Sequence, residues 1–575
     1  MHDLLTEFER EEIVFERLDA WAQASPDAVY LYDGEGDREL TFGYVSEATD
    51  WIAGHLARLG VTPGQRISAL TPNSLIAALA MFGIWKAGGV FCPINYTFAG
   101  KLLAYTLNDT QPAWLLVDRQ MTPRLAEIVG DLACPPRVIV YDAPEGAPDF
   151  IRPADRLPLP DVFRPIDWME LLSPAPRPNF TATFSDPASV VYTSGTTGPS
   201  KGVVLPFRCL NQYCFLARKL LTRDDVIYCD LPLYHIAGAF ALVARAAWVG
   251  CEVAVWNRFS PQDFWRRIAK RGATTAILLD VMTPWLMKAP PSERDRQTTL
   301  AKVHLQPLPL NHQEIARRFG FDIVTTGFGQ TESGLGLCLA IEEMPDGEGT
   351  PAEYWKGATR DHLRQVAAQF GIPVASGESV ATKGAMGRPM PFHEVAILNE
   401  RGYPCAPGEV GELCFRPKIP GLLFDGYLGK PEATLKAFRH LWFHTGDAAY
   451  ADENGDYFFV DRLGDRLRRR GENFSSYIVE DLLYQLPEIA LCAVFPIPGA
   501  ESDEDDIVAF VVPKADAALT EAAVFEWAER HLPKYMQPRH VRVVAELPRT
   551  LTNKVEKYKL RAQVLRELGA TESRA

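Results

Sequence analysis

The chain has 575 residues, 47% of them hydrophobic, so it is longer than one hydrophobic core supports and apolar enough for two or more domains. Its formal net charge of −14 argues against a nucleic-acid partner and an anionic-membrane partner, because both need a basic surface. Ten cysteines without a Cys-x-x-Cys pair, and a start without the apolar core of a signal peptide, predict a cytoplasmic protein without an integral membrane segment.

The first third of the chain alternates between helical and strand-like periodicity. Thr41 is placed to cap a helix that Gly60 ends. The predicted apolar face of this helix contains Tyr44, Ala48, Trp51, Ile52, His55 and Leu59. A strand at 67–70, a helix at 74–86 and a strand at 90–94 follow, and together they predict a strand–helix–strand unit.

The same alternation continues with predicted strands at 226–230, 252–255 and 275–279. Parallel sheets covered by helices are the expected result, which is an α/β fold. Residues 388–461 are rich in Gly, Pro and short strand-like runs and predict a β-barrel-like subdomain within a large domain, 1–463. Residues 464–575, with strands at 491–495, 507–512 and 541–545 and a helix at 521–531, predict a small α+β domain.

The stretch from 341 to 386 contains a predicted helix at 361–370, with apolar residues at Leu363, Val366, Ala367 and Phe370. A lid, a contact within a homodimer and a solvated helical insertion without a role all remain open for it.

Residues 193–201 read Thr-Ser-Gly-Thr-Thr-Gly-Pro-Ser-Lys and have the composition of a phosphate-binding loop. Two glycines let backbone N–H groups turn toward one anion, hydroxyls add donors, and Lys201 adds a positive charge. It is not a Walker loop, because Ser200 precedes the lysine and Gly202 follows it. A Ser/Thr/Gly-rich surface turn explains the same residues. The candidate phosphate-binding residues are Thr193, Ser194, Gly195, Thr196, Thr197, Gly198 and Lys201.

Six further motifs follow the loop in a fixed order. They are Pro232-Leu233-Tyr234-His235, Gly329-Gln330-Thr331-Glu332, Trp442-Phe443-His444-Thr445-Gly446-Asp447, Asp461-Arg462 with Asp465, Gly471-Glu472-Asn473, and Pro548-Arg549-Thr550 with Lys554. With the loop, they resemble the acyl-adenylate-forming (AMP-binding) superfamily, which contains acyl-CoA synthetases, adenylation domains and luciferases. The Gly471 loop most resembles that of carnitine/crotonobetaine-type CoA ligases.

The resemblance implies a nucleotide site. Glu332 would be the catalytic carboxylate that holds Mg²⁺, Thr193 would act with the phosphate loop, and Asp447 would accept the ribose hydroxyls. The segment implied to contact the rest of the nucleotide comprises Phe328, Gly329, Gln330 and Thr331, together with Arg462. Read from the residues alone, Glu332 equally suits a helix start, Asp447 a turn and Arg462 a surface ion pair.

The resemblance also implies two half-reactions in one site. Lys554 would bridge the substrate carboxylate and the α-phosphate of ATP during adenylation. The C-terminal domain would then swing as a mobile lid about a hinge at Asp465 and bring Gly471, Glu472 and Asn473 to the site for coenzyme A. His235 would be a gate beside the acyl pocket, although an unassisted histidine is more often packed or hydrogen-bonded.

Phe328, Asn553 and residues 303–309 depart from the family pattern, and the role of Asp280 has two interpretations. Phe328 stands where the family usually has Tyr, and Asn553 stands before the lysine where Gly is usual. Residues 303–309 lack the Gly-Gly-Ala-Pro element that lines the adenine pocket in most relatives. Asp280 suits either a helix cap or a contact with a cationic substrate tail, and the cap is preferred.

The sequence therefore predicts an acid–thiol ligase that forms an acyl-adenylate and pyrophosphate from a small carboxylic acid and ATP, and then an acyl-CoA thioester and AMP. Its expected cofactors are ATP, Mg²⁺ and coenzyme A. The main alternative is an acyl-AMP ligase that delivers the acyl group to a carrier-protein phosphopantetheine. A luciferase-like oxidoreductase is a more distant alternative, and retention of both Glu332 and Lys554 argues against a silent nucleotide-binding module.

Overall fold

The computed structural model describes residues 2–147, 149–193, 200–279, 282–463, 467–469, 472–499, 505–515, 517–534, 536–549 and 555–568. These residues form two compact units. The first unit consists of residues up to 193, 200–394 and 416–438, and the second of 395–415 and 439 onward. None of the helices in the described ranges is both long enough and apolar enough to cross a membrane.

The helices of the described residues are α1 (His2–Arg10), α2 (Val14–Ala24), α3 (Phe42–Arg58), α4 (Ser74–Lys86), α5 (Gly100–Thr110), α6 (Thr122–Ile128), α7 (Phe207–Lys219), α8 (Ile236–Gly238), α9 (Arg245–Val249), α10 (Phe264–Arg271), α11 (Met282–Met287), α12 (His312–Phe319), α13 (Arg360–Phe370), α14 (Pro431–Ala437), α15 (Ser476–Leu483), α16 (Glu521–His531) and α17 (Lys557–Glu567). A π-helical turn, Ala239–Ala244, joins α8 to α9.

The strands are β1 (Val29–Asp33), β2 (Arg38–Thr41), β3 (Arg66–Leu70), β4 (Val90–Pro93), β5 (Trp114–Asp118), β6 (Arg137–Tyr141), β7 (Ile166–Asp167), β8 (Pro187–Thr193), β9 (Lys201–Pro206), β10 (Val226–Cys229), β11 (Glu252–Val255), β12 (Thr275–Leu279), β13 (Lys302–Gln306), β14 (Ile323–Gln330), β15 (Gly334–Glu342), β16 (Val374–Ser376), β17 (Ala385–Pro389), β18 (His393–Leu398), β19 (Gly411–Pro417), β20 (Gly426–Tyr427), β21 (Phe443–Ala451), β22 (Tyr457–Arg462), β23 (Leu467–Arg469), β24 (Glu472–Phe474), β25 (Ile489–Pro498), β26 (Asp505–Pro513) and β27 (His540–Val543).

Two helix-covered sheets build the first unit. One has the strand order β2-β1-β11-β10-β12-β13-β14-β15-β17, with β16 also on β15, and its run from β1 to β14 is parallel. The other has the order β20-β9-β8-β4-β3-β5-β6-β7 and is parallel from β8 to β7. The predicted α/β class is therefore confirmed.

The predicted cap of α3 is confirmed, because the side chain of Thr41 accepts a hydrogen bond from the backbone N–H of Tyr44. The predicted apolar face of this helix is wrong in part. Tyr44 is 44% exposed, and the buried face instead runs through Val45, Thr49 and Leu56. Packing against α2 and α4 buries a neighbouring stripe of the helix that is rich in small side chains.

The predicted insertion helix is α13, which Thr359 caps. Its four apolar residues are buried in one cluster with Phe8 of α1 and Phe215 of α7. The helix is therefore part of the core of the first unit, and it does not have the solvated surroundings that one of the open alternatives required.

The C-terminal part of the second unit is a three-stranded sheet between helices. Along β25, Cys492 and Val494 pack with α15 and α16, whereas Ala493 and Phe495 pack with α17. Alternation with period two therefore buries both faces of the strand. The remaining strands of this unit form the sheet β18-β19-β21-β22 and the hairpin β23–β24.

Candidate active site

The phosphate-loop sequence connects two antiparallel strands. Strands β8 and β9 pair up to Thr193 opposite Lys201, so these two residues stand at the two ends of the loop. Ser200 donates a hydrogen bond to the carbonyl oxygen of Thr193, and the Tyr105 hydroxyl donates to the carbonyl oxygen of Ser200 at 2.8 Å. The remaining predicted loop residues, 194–199, lie outside the described residues.

Tyr427 connects the phosphate-loop lysine to the predicted metal-binding carboxylate. The ammonium of Lys201 lies 4.7 Å from the centre of the Tyr427 ring, within the range of a cation–π contact. The Tyr427 hydroxyl donates a hydrogen bond to Glu332 Oε1 at 3.0 Å. Burial and the neighbouring Glu332 carboxylate raise the pKa of Tyr427 well above its usual value, so this hydroxyl stays a donor.

The carboxylate of Glu332 fits the chemistry of a magnesium ligand. A carboxylate offers about four lone-pair positions, so the hydrogen bond from Tyr427 is compatible with coordination of a hard cation. The main chain of Glu332 is also held, because the backbone N–H of Phe424 donates to its carbonyl oxygen at 2.9 Å. Both contacts come from the segment that ends in β20, and they fix the residue against β9.

The predicted nucleotide-contacting segment forms the end of β14 and the turn after it. Phe328 is 7% exposed, and the antiparallel register with β15 shifts between Phe328 and Gly329. The backbone N–H of Gln330 donates to Ser333 Oγ at 3.2 Å, which closes the turn that contains Thr331. A Cβ on Gly327 would lie 2.2 Å from the carbonyl oxygen of Leu337. Strand pairing therefore requires glycine there, whatever the size of the substrate.

His235 has a structural contact of its own. Its Nδ1 accepts a hydrogen bond from the backbone N–H of Ala237 at 3.2 Å and thereby caps α8. This contact leaves the predicted gate role as a prediction, and it fixes the ring at the start of the helix that continues to Val249.

Asp447 and Arg462 form an ion pair in the second unit. They are register partners on β21 and β22, and Arg462 Nε lies 2.9 Å from Asp447 Oδ1. Asp447 is 1% exposed, and its backbone N–H donates to Thr445 Oγ1 at 3.0 Å. The carboxylate oxygens of an aspartate can accept two hydrogen bonds side by side, which is what a pair of ribose hydroxyls would require.

Glu412 supports the turn before Asp447. Its Oε1 accepts a hydrogen bond from the backbone N–H of Gly446 at 3.1 Å, and its Oε2 lies 2.7 Å from His444 Nδ1. Arg439 also pairs with this carboxylate, at 2.6 Å. One side chain on β19 therefore holds Gly446 within the turn and contacts His444 directly before it.

A second hydrogen-bonded network in the second unit joins Asp461, from one predicted motif, to residues that follow two other motifs in the chain. Asp461 Oδ2 accepts from the Ser475 hydroxyl at 3.2 Å and from the backbone N–H and hydroxyl of Ser476 at 2.8 and 2.7 Å. Lys557 donates to the Ser476 hydroxyl at 2.7 Å and pairs with Glu480 at 2.9 Å. The residue beside Arg462, the start of α15 and the start of α17 are therefore held together.

Several predicted residues lie outside the described part of the chain. These are Ser194, Gly195, Thr196, Thr197, Gly198, Asp280, Asp465, Gly471 and Lys554. The backbone of Glu472 and Asn473 belongs to β24, which pairs with β23 directly before α15.

Tyr427 and Glu412 were missed at the level of sequence. Neither belongs to a motif that the residue types alone would single out, because a tyrosine after glycine and a glutamate in a strand are ordinary. Their importance comes from contacts with Glu332 and Gly446, residues 95 and 34 positions away in the chain.

The model of the AMP-binding enzyme family matches residues 18–428, and the model of the AMP-binding enzyme C-terminal domain matches residues 478–554. The chain belongs to the AMP-binding enzyme family. The resemblance inferred from the motifs is therefore confirmed. The crotonobetaine/carnitine–CoA ligase of Salmonella typhimurium is 28% identical over 536 residues, covering 91% of this chain and 93% of the ligase, and that of Salmonella typhi is also 28% identical.

Solved structures share the fold. The ATP-bound MatB of Rhodopseudomonas palustris superposes with a TM-score of 0.75 at 22% identity, covering 97% of this chain and 99% of MatB. The o-succinylbenzoate CoA synthetase of Bacillus subtilis, in complex with its acyl-adenylate intermediate, has a TM-score of 0.72 at 22% identity, with 95% and 97% covered. The curated relatives reported above are CoA ligases of the AMP-binding family. The prediction that this chain is an acid–thiol ligase is therefore confirmed.

Proposed function

We propose that this enzyme is an ATP-dependent carboxylic acid–CoA ligase. The observation that carries the proposal is the contact of Tyr427 with both Lys201 and Glu332. One aromatic side chain therefore contacts the lysine at the end of the phosphate-loop sequence and the carboxylate proposed to bind the metal. Stabilising the negative charge of the leaving pyrophosphate requires both kinds of group.

The first half-reaction joins the acid to AMP. A carboxylate oxygen of the substrate attacks the α-phosphorus of ATP, and the bond to the bridging oxygen of pyrophosphate breaks. Mg²⁺ held by Glu332 would neutralise phosphate charge. Lys554 would approach both the carboxylate and the α-phosphate, while Asp447 would accept the ribose hydroxyls and Arg462 would hold the Asp447 side chain in place.

The second half-reaction transfers the acyl group to the thiol of coenzyme A, and AMP leaves. In this proposal residues 464–575 turn about Asp465, withdraw Lys554 and bring the Gly471–Asn473 loop to the site. The relatives named crotonobetaine/carnitine–CoA ligase support coenzyme A as the acceptor. The ten free cysteines support a reducing, cytoplasmic setting.

The reaction is tested with purified protein, ATP, Mg²⁺ and a panel of carboxylic acids. Pyrophosphate release that depends on an acid, followed by a thioester when coenzyme A is added, is expected. Thioester formation only with an added carrier protein would establish the acyl-AMP ligase instead.

Glu332→Gln tests the role of the carboxylate. It should reduce pyrophosphate release by about 100-fold or more, because the metal-binding charge is lost while the side-chain volume is kept. Glu348→Gln is the matched control, because Glu348 is exposed. Equal activity of the two variants would contradict the proposed role of Glu332.

A further inference from the structure

One charged residue interrupts the otherwise apolar helical stretch from 236 to 249. It is Arg245, the first residue of α9. Arg245 is 6% exposed, and its Nε and Nη2 atoms are buried without a hydrogen bond to any residue that the structure describes. A buried guanidinium is strongly unfavourable unless an anion or acceptors satisfy it. The described fold therefore leaves this group without a partner.

The one acid named among the charges that act on Arg245 is already bound by other donors. Asp225 acts on Arg245 through its charge, but its carboxylate is bound by Lys302 at 2.7 Å, by Thr274 Oγ1 at 2.6 Å and by the backbone N–H of Thr222 at 2.8 Å. The other groups that act on Arg245 are buried thiols, those of Cys214, Cys229 and Cys251. Burial raises the pKa of each thiol, so they are uncharged.

The helix of Arg245 lies against one face of the sheet, and several side chains in this region are only partly buried. Cys229 Sγ of β10 lies 4.0 Å from the carbonyl oxygen of Gly238, which places the helix on this face. Ala241, one helical turn before Arg245, keeps accessible surface, and so do His304 of β13 and Thr325 of β14. Side chains between a sheet and its covering helix keep accessible surface only where packing leaves a space.

Arg245 lies close to the partly exposed His304. His304 and Thr325 are register partners, and His304 Nδ1 lies 3.0 Å from Thr325 Oγ1. Burial, followed by the positive charge of Arg245, lowers the pKa of His304 to about 4, so the imidazole is neutral and close to the guanidinium. Thr325 precedes Phe328 by three residues on β14, a distance of about 10 Å along the strand.

We propose that the acid activated by this enzyme carries a second carboxylate, which pairs with Arg245, so that the substrates are dicarboxylic acids. This inference rests on the proposed function and names its substrate class. A planar carboxylate matches the two donors of a guanidinium edge, and His304 adds a neutral polar group beside it. A cationic tail, such as the trimethylammonium group of carnitine, would meet like charge in the same place.

The first experiment compares acids of equal length. Pyrophosphate release is measured with linear dicarboxylic acids of about five to ten carbons, lengths suited to a span of about 10 Å, and with the monocarboxylic acids of the same lengths. We expect kcat/KM to favour the best diacid over its monoacid by about 100-fold or more. A preference for the monoacids, for hydroxy acids or for cationic acids would overturn the inference.

The second experiment removes the guanidinium. Arg245→Met should abolish the diacid preference and should raise the midpoint of thermal unfolding of the free protein, because an unpaired buried charge is replaced by an apolar side chain. A purely structural arginine would give a lower midpoint and an unchanged preference. Arg267→Met is the control, because Arg267 is buried but donates to the carbonyl oxygen of Arg258 at 2.8 Å, and its loss should leave the preference intact.

The outcomes separate this inference from the proposed function. Pyrophosphate release with monoacids but not with diacids overturns the substrate class and leaves the ligase reaction standing. No release with any acid, together with no effect of a diacid on the midpoint of unfolding, overturns both. A diacid that raises the unfolding midpoint of the wild type but not of Arg245→Met supports the substrate class without depending on turnover.

Discussion

At the scale of single residues, the hydroxyl of Tyr427 and its ring have separable effects. Tyr427→Phe removes the hydrogen bond to Glu332 and keeps the ring beside Lys201. A hydrogen bond to a charged group contributes about 1.5–3 kcal/mol, so we expect pyrophosphate release to fall by about tenfold to 100-fold, with a higher Mg²⁺ requirement. Tyr427→Leu also removes the cation–π contact, and it should raise the KM for ATP further.

Steady-state kinetics at limiting and saturating Mg²⁺ check this expectation. Tyr403→Phe is the matched control, because Tyr403 is 67% exposed. If Tyr427→Phe kept wild-type kinetics at limiting Mg²⁺, the hydroxyl would have no part in positioning Glu332.

Asp118 predicts a pH dependence of stability that is unrelated to catalysis. Burial, and then the charge of Asp149, raise the pKa of Asp118 to about 7, although a hydrogen bond from Thr71 opposes the rise. Between pH 4 and 7 the folded state therefore binds more protons than the unfolded state, and stability falls as pH rises. Its ionisation costs up to about 4 kcal/mol above pH 7.

Urea unfolding at several pH values measures this effect. Asp118→Asn should remove this part of the fall and make the protein more stable than the wild type at pH 8, with little difference at pH 4. Parallel stability curves of the two proteins across this range would show that Asp118 does not change its protonation on folding.

The limits of sequence-based prediction are clearest at single residues. Glu332, Asp447 and Arg462 were predicted as site residues because each belongs to a run of residues with an uncommon composition and order. Tyr427 was missed, and in the sequence Arg245 is only a charge within an apolar helical stretch, because the significance of both residues lies in what surrounds them in space. One sequence does not show that a tyrosine touches a lysine 226 positions before it.

At the scale of elements, apolar periodicity and capping residues were sufficient to predict the bounds of a helix. The predicted helices at 74–86 and 521–531 match α4 and α16 residue for residue, since each has a polar N-cap directly before it, at Asn73 and Thr520. The predicted buried face of α3 was partly wrong, because Tyr44 was counted as an apolar residue but is exposed to solvent. Periodicity identified the helix, and the neighbouring helices decided its orientation.

Helix α13 should contribute to stability and not to catalysis. Phe370 is 7% exposed within the cluster shared by α1, α7 and α13. Phe370→Ala should lower the free energy of unfolding of the first unit by about 3–5 kcal/mol and leave kcat for pyrophosphate release unchanged. Gln369→Ala, on the exposed side of the same helix, should change stability by less than about 0.5 kcal/mol.

Chemical denaturation and pyrophosphate assays on the same preparations check both parts. A loss of turnover in Phe370→Ala at temperatures where the protein is fully folded would restore the interpretation of this segment as a lid.

At the scale of the whole molecule, Lys557 and Lys554 are only three residues apart, and we expect Lys557 to stabilise the second unit and Lys554 to act in catalysis. Lys557 forms a buried ion pair with Glu480, so Lys557→Met should lower the stability of the second unit by about 3–5 kcal/mol by leaving an unpaired carboxylate. Lys557→Met combined with Glu480→Leu should recover most of that loss. Lys559→Met, at a position with a half-exposed side chain, should have little effect.

Lys554 should affect only one half of the reaction. Lys554→Ala is expected to reduce acid-dependent pyrophosphate release by about 1,000-fold, because two anions are no longer held at reacting distance. The same variant, supplied with synthetic acyl-adenylate and coenzyme A, should form thioester at close to the wild-type rate, since the proposed rotation withdraws the lysine before the second step. Asp465→Pro, which restricts the proposed hinge, should show the opposite pattern and form acyl-adenylate without completing the thioester. Equal losses of both half-reactions in both variants would contradict a rotating C-terminal domain and would require a single fixed arrangement for the two steps.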